Sequence, residues 1–250
     1  MDKITYDYKD TNEKYDFIWN DFDNPYLIQL REEFKLAKIV DRCNSDFEKA
    51  KEITNWVHHL WEHDGYNEPI KNDPISILRE VSEGKRFRCV EYGIVISGCL
   101  NALGIHARKL ALKTEDVETR ESGAGHVVLE TYIEEYKKWV FIDGQFNLIP
   151  VINGIPLNAL EFQRAILDNN GDLDILTYND INKEEYFKWV NDYLFYLDVR
   201  LDNRMESDAV HSLMLVPLGA NNPKIFQRTM PLNNYIYTNS AKPFYPTPNV

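Results

Sequence analysis

The stretch RFRCVEYG, at residues 86–93, leads into the segment that decides the fold of this chain. Between Cys89 and Leu103 only Glu91 carries a charge, and apolar residues occupy nearly every side of the helix that this segment would form. A helix that is apolar almost all round is buried in a protein core. Gly104 stands where a glycine commonly ends a helix. The sequence therefore predicts a buried helix whose first residue is a cysteine.

The position of Cys89 favours the thiolate form of its side chain. The positive end of the helix lies at this residue, and the basic residues Lys85, Arg86 and Arg88 precede it. A thiolate is the nucleophile that acyl transfer needs. A single cysteine at a helix start is more often just a small buried residue. The chemical interpretation therefore depends on further residues.

Two further stretches, GAGHVVLETYI at residues 123–133 and WVFIDGQ at residues 139–145, predict two strands joined by a hairpin turn. His126 and Asp143 are 17 positions apart, so a hairpin loop of even length puts both side chains on one face of the sheet. Depending on the register they lie opposite each other, with Cβ atoms about 5 Å apart, or are diagonal neighbours. A carboxylate beside an imidazole fixes its tautomer and raises its basicity, and the other ring nitrogen can serve a thiolate. The three stretches together predict a catalytic triad that contains Cys89.

The order of these motifs resembles that of the transglutaminase-like superfamily of papain-like thiol enzymes. The resemblance covers roughly residues 45–150 and includes LGIHAR at residues 103–108, which looks like the family's passage from the cysteine helix into the first strand. It implies Cys89 as the nucleophile, His126 as the general base and acid, and Asp143 as the residue that orients the imidazole.

Three positions differ from the usual pattern of that family. His106 stands where the family usually has proline, Val90 follows the cysteine where an acidic residue is common, and Gly144 follows the aspartate where proline is frequent. None of these differences removes a group of the triad. They leave the class of substrate open.

Composition narrows the range of partners and compartments. The chain has 250 residues and a formal net charge of −12, which repels nucleic-acid phosphates and anionic lipid, so we predict neither nucleic-acid nor membrane binding. No stretch approaches the roughly 18 apolar residues of a membrane-spanning helix, and the N-terminus lacks a secretory signal. Three widely spaced cysteines, Cys43, Cys89 and Cys99, are poor material for a disulfide framework. These features predict a reduced, cytoplasmic protein.

The pattern of elements predicts an α+β fold with a papain-like or transglutaminase-like core, in which the cysteine helix packs on an antiparallel sheet. Further helices are predicted near residues 46–63, 74–81 and 157–169, further strands near residues 106–112, 194–201 and 211–218, and a loop over residues 150–156. We expect an N-terminal extension at residues 1–44, a catalytic core at residues 45–185, and a β-rich C-terminal extension at residues 186–250 that packs on the core.

Several other candidate sites are weaker. His58, His59 and His63 include a pair at the i, i+4 spacing of zinc ligands, but a solvated helix end is the favoured interpretation. The run DNNGD at residues 168–172 lacks the glycine position and the glutamate of a calcium loop, and a helix stop with a turn is favoured. His211 opens an apolar run but has no carboxylate at a suitable spacing. We therefore predict neither a metal nor a cofactor.

An oxyanion hole for this triad would use the backbone N–H of Cys89 and one further donor. The sequence does not choose among the side chains that could supply it, which are those of Trp61, Tyr66, Asn67 and Arg88. Gln145 could also lie near the cleft, although a surface role is favoured.

The favoured function is a thiol-dependent acyl-transfer enzyme, a cysteine amidase or peptidase that acts on a protein, peptide or amide substrate. Hydrolysis is favoured over protein crosslinking, because an amine must outcompete water at about 55 M through a built acceptor site. Two alternatives remain open at this stage. One is a crosslinking transglutaminase, and the other is a non-catalytic binding or scaffold module that keeps the fold and the triad.

Overall fold

The computed structural model describes residues 4–205, 207 and 209–248, which form helices and strands along the whole chain. The helices are α1 (Pro25–Glu33), α2 (Leu36–Ile39), α3 (Asp46–His58), α4 (Pro74–Ser82), α5 (Cys89–Ala102), α6 (Ala159–Leu167), α7 (Lys183–Asn191) and α8 (Ala241–Phe244). The strands are β1 (Ala107–Lys113), β2 (Gly125–Ile133), β3 (Lys138–Ile142), β4 (Leu148–Ile152), β5 (Ile155–Pro156), β6 (Leu173–Thr177), β7 (Tyr196–Arg200), β8 (Ser212–Leu215), β9 (Ile225–Phe226), β10 (Met230–Pro231) and β11 (Tyr235–Thr238).

A six-stranded sheet in the order β11-β8-β7-β1-β2-β3 organises the fold. Its strands are antiparallel, except that β11 runs parallel to β8. The cysteine helix α5 packs against β1 and β2 in the middle of this sheet. The predicted α+β fold, with the cysteine helix on an antiparallel sheet, is confirmed.

Apolar residues cover both faces of the sheet. Leu129 and Ile142 on one face join a core with helices α1 to α5, whereas Val128 and Phe141 on the other face join a second core with α6 and α7. Successive strand residues point to opposite faces of a sheet. Because a core covers each face, β2 and β3 have buried side chains on both faces. The site at the end of these strands is therefore enclosed by helices from both sides.

The hairpin β2–β3 has the even loop that the spacing predicts. Ile133 pairs with Lys138 and Leu129 with Ile142, which leaves four residues in the turn. Continuing this register places Asp143 across from Val128, so that it is a diagonal neighbour of His126. Of the two predicted registers, the diagonal one is confirmed.

The chain that follows β3 differs from the prediction of a loop over residues 150–156. Strands β4 and β5 cover most of it and form a second sheet in the order β5-β4-β6. Pro150 reads as a strand breaker because it has no N–H. In this strand the carbonyl of Pro150 accepts a hydrogen bond from Leu157 N at 3.0 Å. Pro150 still pairs with Ile175, although it has no N–H to donate.

The C-terminal part of the chain contributes strands to the main sheet. Strand β7 pairs directly with β1, and β8 and β11 continue the sheet outward. The division at residues 44/45 and 185/186 stays a prediction. No helix in residues 4–205, 207 and 209–248 is long and apolar enough to cross a membrane.

Candidate active site

The start of the cysteine helix is fixed by a buried carboxylate. The backbone N–H of Arg88 and its guanidinium both donate to Glu91, at 3.0 Å and 2.9 Å, and Glu91 is fully buried. Arg88 also contacts Glu68, Lys85 pairs with Glu80, and Arg86 pairs with Glu62. The basic residues before Cys89 are therefore paired with carboxylates, and their charges are not free to stabilise the thiolate as the sequence predicted. The contribution of the helix N-terminus stays a prediction.

His126 lies at the start of β2, and Asp143 lies directly after β3. Nε2 of His126 is 2.7 Å from Oδ2 of Asp143. Both side chains are buried, with exposed fractions of 3% for the histidine and 0% for the aspartate. The bond uses Nε2, so Nδ1 is the ring nitrogen that remains for the thiol.

A tight turn and a tyrosine hold the Asp143 carboxylate in place. The backbone of Asp143 pairs with Leu148 in both directions, at 3.0 Å and 3.1 Å, which closes the turn between β3 and β4. Tyr186 donates its hydroxyl to Oδ2 at 2.8 Å, and Phe146 donates its backbone N–H to Oδ1 at 3.2 Å. The carboxylate has no freedom to turn away from the imidazole.

The Cys89 thiol is a hydrogen-bond partner of His126. Burial by itself raises the pKa of Cys89, but hydrogen bonds from His126 and His63, together with the imidazolium charge, lower this pKa to about 6. Burial by itself lowers the pKa of His126. The charges of Asp143 and Cys89, and their hydrogen bonds to the ring, outweigh burial and raise the pKa of His126 to about 10. At neutral pH the pair is therefore a thiolate and an imidazolium.

Aromatic rings surround the imidazole. Trp189 of α7 lies 4.9 Å from His126 between ring centroids, at an interplanar angle of 70°. Phe146 and Tyr193 approach at 6.3 Å and 6.1 Å. These rings exclude water from the bond between His126 and Asp143, which strengthens its electrostatic interactions.

Helix α7 was not predicted, although the sequence carries a signal for it. Asn182 caps the helix by accepting from the N–H groups of Glu184 and Glu185, at 3.1 Å and 3.3 Å. Tyr186 and Trp189 follow at helical spacing. An Asn cap before two acidic residues and an aromatic stripe is a typical helix start.

His63 is the residue that sequence analysis placed wrongly. Helix α3 ends at His58, so His59 and His63 do not share a helical face. His63 is exposed and is a hydrogen-bond partner of the Cys89 thiol. His58 contacts Gly144 O through Nδ1, at 3.3 Å. Within residues 4–205, 207 and 209–248, no group of three or more His, Cys, Asp or Glu residues is arranged to hold a metal ion.

The four candidates for a second oxyanion donor lie in different surroundings. Asn67 donates to Arg86 O at 3.0 Å, Arg88 is bound to Glu91, and Tyr66 is 94% exposed. The indole N–H of Trp61 is buried without an acceptor among the described residues.

The remaining candidates differ in how far they are buried. Cys99 is fully buried in the core, and burial raises its pKa, as burial also raises the pKa of Cys43. His211 is exposed, Gln145 is partly exposed, and residues 168–172 form an exposed helix end and turn.

A comparison with models of known protein families supports the resemblance that the sequence shows. Residues 35–144 match the sequence model of the Transglutaminase-like superfamily, and this segment contains Cys89, His126 and Asp143, the three residues of the predicted triad. The resemblance to this superfamily is therefore confirmed over this segment. No curated protein matches the chain.

Two solved structures are similar at low sequence identity. A "putative cysteine protease" from Cytophaga hutchinsonii is 13% identical, with a TM-score of 0.38, and the match covers 66% of this chain and 55% of that one. A "putative protease" from Parabacteroides distasonis is 16% identical, with a TM-score of 0.32, and the match covers 44% of this chain and 23% of that one. The chain thus spans little more than half the length of one of these proteins and about a quarter of the other.

Proposed function

We propose that this protein is a cysteine amidase or peptidase, with Cys89 as the nucleophile, His126 as the general acid and base, and Asp143 as the orienting residue. One observation carries the proposal. The Cys89 thiol contacts a buried imidazole whose other nitrogen is bound to a carboxylate at 2.7 Å. A nucleophile, a base and an orienting group in this relation are what thiol-dependent acyl transfer requires.

The first half of the reaction forms an acyl-enzyme. The thiolate of Cys89 attacks the carbonyl carbon, a C–S bond forms, and the carbonyl oxygen becomes an oxyanion. The backbone N–H of Cys89 is at the first position of α5, where helical N–H groups have no partner within the helix, and it stabilises this charge. The imidazolium of His126 gives its proton to the leaving nitrogen as the C–N bond breaks, which leaves a thioester and a free amine.

The second half of the reaction uses neutral His126 as a base. It removes a proton from water as the oxygen attacks the thioester, and the C–S bond breaks to release a carboxylic acid and the thiolate. Asp143 stays ionised and stabilises the imidazolium in both halves. Neither step needs a metal or a redox cofactor to balance.

The perturbed titration of the pair favours an enzyme over a scaffold. A cysteine with a pKa of about 6 beside a histidine with a pKa of about 10 is in the form that nucleophilic attack requires, and binding alone does not require it. Such shifts concentrate at catalytic sites because the nucleophile and the acid must be in these forms.

Alkylation by iodoacetamide at pH 6, read by mass spectrometry, tests the nucleophile. We expect Cys89 to be labelled and Cys43 to stay unmodified, because an ordinary thiol with a pKa of about 8.5 is only about 0.3% ionised at pH 6. Cys89→Ala is the control for assignment. Equal labelling of the two cysteines would contradict the proposal.

Substrate turnover is tested on a defined peptide mixture, with and without an added primary amine. New peptide termini or released ammonia, absent with Cys89→Ala, support hydrolysis. Incorporation of the amine without hydrolysis would show that the activity is crosslinking and not hydrolysis. Binding of peptides by the wild type and Cys89→Ala alike, with no product, would favour the scaffold.

A further inference from the structure

A cavity of about 180 Å³ lies beside the cysteine helix, between α5 and the strands β1 and β7. Its wall includes Val90 and Ile94 of the helix, Lys109 of β1 and Arg200 of β7. A cavity of about 150 Å³ is large enough to hold benzene. The space therefore accommodates a group the size of an amino-acid side chain.

Two cations of this cavity wall, Lys109 and Arg200, lie on the adjacent strands β1 and β7. Leu110 pairs with Val199, so continuing the register by one residue places Lys109 opposite Arg200 on the same face of the sheet. Like charges at such a cross-strand position destabilise a sheet. Within the described part of the chain neither side chain has a hydrogen bond or an ion pair, although the chain carries a net charge of −12. The carboxylate of Glu91 acts on Lys109 only through space.

The three other cations of the wall are paired with carboxylates, and one of them, Arg108, is 2.9 Å from Glu130. Arg88 is bound to Glu91, and the guanidinium of Arg204 is 2.7 Å from Asp202. Burial, with the charge of Arg200, lowers the pKa of Lys109 to about 8, and the more distant charges of Glu91 and Cys89 offset only part of this shift. The free positive charge of the cavity is thus located at Lys109 and Arg200.

This charge is within reach of the nucleophile. Gly93 lies one helical turn, about 5.4 Å, beyond Cys89 on α5. The Cγ of Lys109 lies 3.4 Å from the position that a Cβ would take on Gly93, and the charge of Cys89 acts on the Lys109 ammonium group. Lys109 is therefore close enough to Cys89 for one bound molecule to contact both side chains.

We propose that Lys109 and Arg200 form a carboxylate-binding subsite, so that the substrates are peptides or amides with a free carboxylate near the scissile bond. This inference rests on the proposed function and adds the substrate class to it. The carboxylate can come from an Asp or Glu side chain or from a peptide C-terminus. Both sources present the planar anion that a guanidinium binds through two hydrogen bonds.

The test compares the alkylation of Cys89 by iodoacetate and by iodoacetamide, two reagents that differ in the carboxylate alone. In both reactions the sulfur displaces iodide and forms a C–S bond. The readout is the ratio of the two rates, so a general change in thiolate reactivity cancels. The charges of His126 and His63 are the same in every variant, and they cancel when variants are compared.

We expect the ratio of iodoacetate to iodoacetamide rates to fall about tenfold in Lys109→Gln/Arg200→Gln, because two attractive charges are removed from the path of the anion. Lys38→Gln/Arg42→Gln removes two exposed cations elsewhere and should keep the wild-type ratio. Lys109→Arg and Arg200→Lys keep the charge and should retain most of the preference. Thermal unfolding of each variant verifies that it is folded.

Protection of Cys89 from iodoacetamide identifies the source of the carboxylate. N-acetylglutamic acid α-amide carries a side-chain carboxylate, N-acetylglutamine carries a C-terminal one, and N-acetylglutamine amide carries neither. Stronger protection by either charged compound, lost in Lys109→Gln/Arg200→Gln, supports the subsite and assigns its source.

Two results would overturn the inference in distinguishable ways. The first is a rate ratio in Lys109→Gln/Arg200→Gln within a factor of two of wild type, or equal protection by all three compounds. Either outcome would contradict the carboxylate subsite, and the proposed function would be unaffected. Failure of iodoacetamide to label Cys89 selectively in the wild type removes the proposed function, and the substrate class falls with it.

Discussion

At the Cys89 sulfur, burial and hydrogen bonding act in opposite directions. Burial disfavours the thiolate, and the contacts with His126 and His63 outweigh it, so that the pKa falls to about 6. The contact between His126 and Asp143 could be predicted from their spacing. Whether the hairpin loop has an even number of residues decides which face each side chain is on, and this depends on the local sequence alone. The approach of His63 was not predictable, since it depends on where α3 ends and how the next segment crosses Cys89.

The first prediction concerns pH. The thiolate–imidazolium pair exists above the Cys89 pKa of about 6 and below the His126 pKa of about 10. Acidification through the lower value protonates the nucleophile, and alkalinisation through the upper value removes the proton that the leaving amine needs. We expect kcat/KM for hydrolysis to be bell-shaped between these limits. Alkylation of Cys89 should rise through the lower limit and persist above the upper one.

A variant of the base provides the control for this profile. In His126→Ala the midpoint of Cys89 alkylation should move up toward the ordinary thiol value of about 8.5. A wild-type midpoint already near that value would contradict the ion pair.

The second prediction concerns the separate roles of the triad residues. Cys89→Ala should abolish both labelling and turnover, and His126→Ala should abolish turnover while leaving slow alkylation at high pH. Asp143→Asn should lower turnover by about 10²–10⁴ because the wrong imidazole tautomer is favoured. Tyr186→Phe removes one donor to the Asp143 carboxylate and should have a smaller effect. Steady-state kinetics measure this order. Unchanged turnover in Cys89→Ala would contradict the proposal that the protein is a cysteine hydrolase.

At the scale of elements, the site depends on close contact between α5 and the turn after β3. A Cβ built on Gly144 would overlap Cδ1 of Ile96 and approach Cβ of Tyr92 to 3.2 Å. Glycine at this position lets the turn that carries Asp143 lie on the cysteine helix. The position of Gly144 after the aspartate is visible in the sequence, but the packing that requires it is not, because it joins segments about 50 residues apart.

The third prediction follows from this contact. Gly144→Ala should destabilise the protein by about 1–3 kcal/mol through overpacking, and the displaced turn should lower turnover as well. Gly171→Ala is the matched control, because a Cβ there meets nothing within 4 Å. Denaturant unfolding and steady-state kinetics measure the two effects. Equal stability of both variants would contradict tight packing between the turn and α5.

At the scale of the whole molecule, one sheet joins distant parts of the chain. Strand β7 reaches β1 from nearly 90 residues later in the sequence, a pairing that local patterns do not encode. Arg108 of β1 adds a buried connection. It donates to Phe244 O at 2.8 Å and to Glu130 at 2.9 Å, and Glu130 also accepts from Tyr245 at 2.9 Å. In the sequence Arg108 and Glu130 are ordinary strand positions, since nothing local distinguishes a buried ion pair from an exposed one.

The fourth prediction tests whether this buried pair ties the C-terminal segment to the sheet. In Glu130→Gln the Arg108 charge stays buried without a counter-ion, so we expect a loss of about 3–5 kcal/mol in the free energy of unfolding. The matched control is Glu33→Gln, which breaks the exposed pair with Arg79 and should cost far less. Because Tyr245 binds the same carboxylate, amide exchange over residues 241–245 should also accelerate in Glu130→Gln and not in Glu33→Gln. Equal destabilisation by the two variants would mean that the Arg108–Glu130 pair contributes no more than a surface contact, and that apolar packing alone holds the C-terminal segment on the sheet.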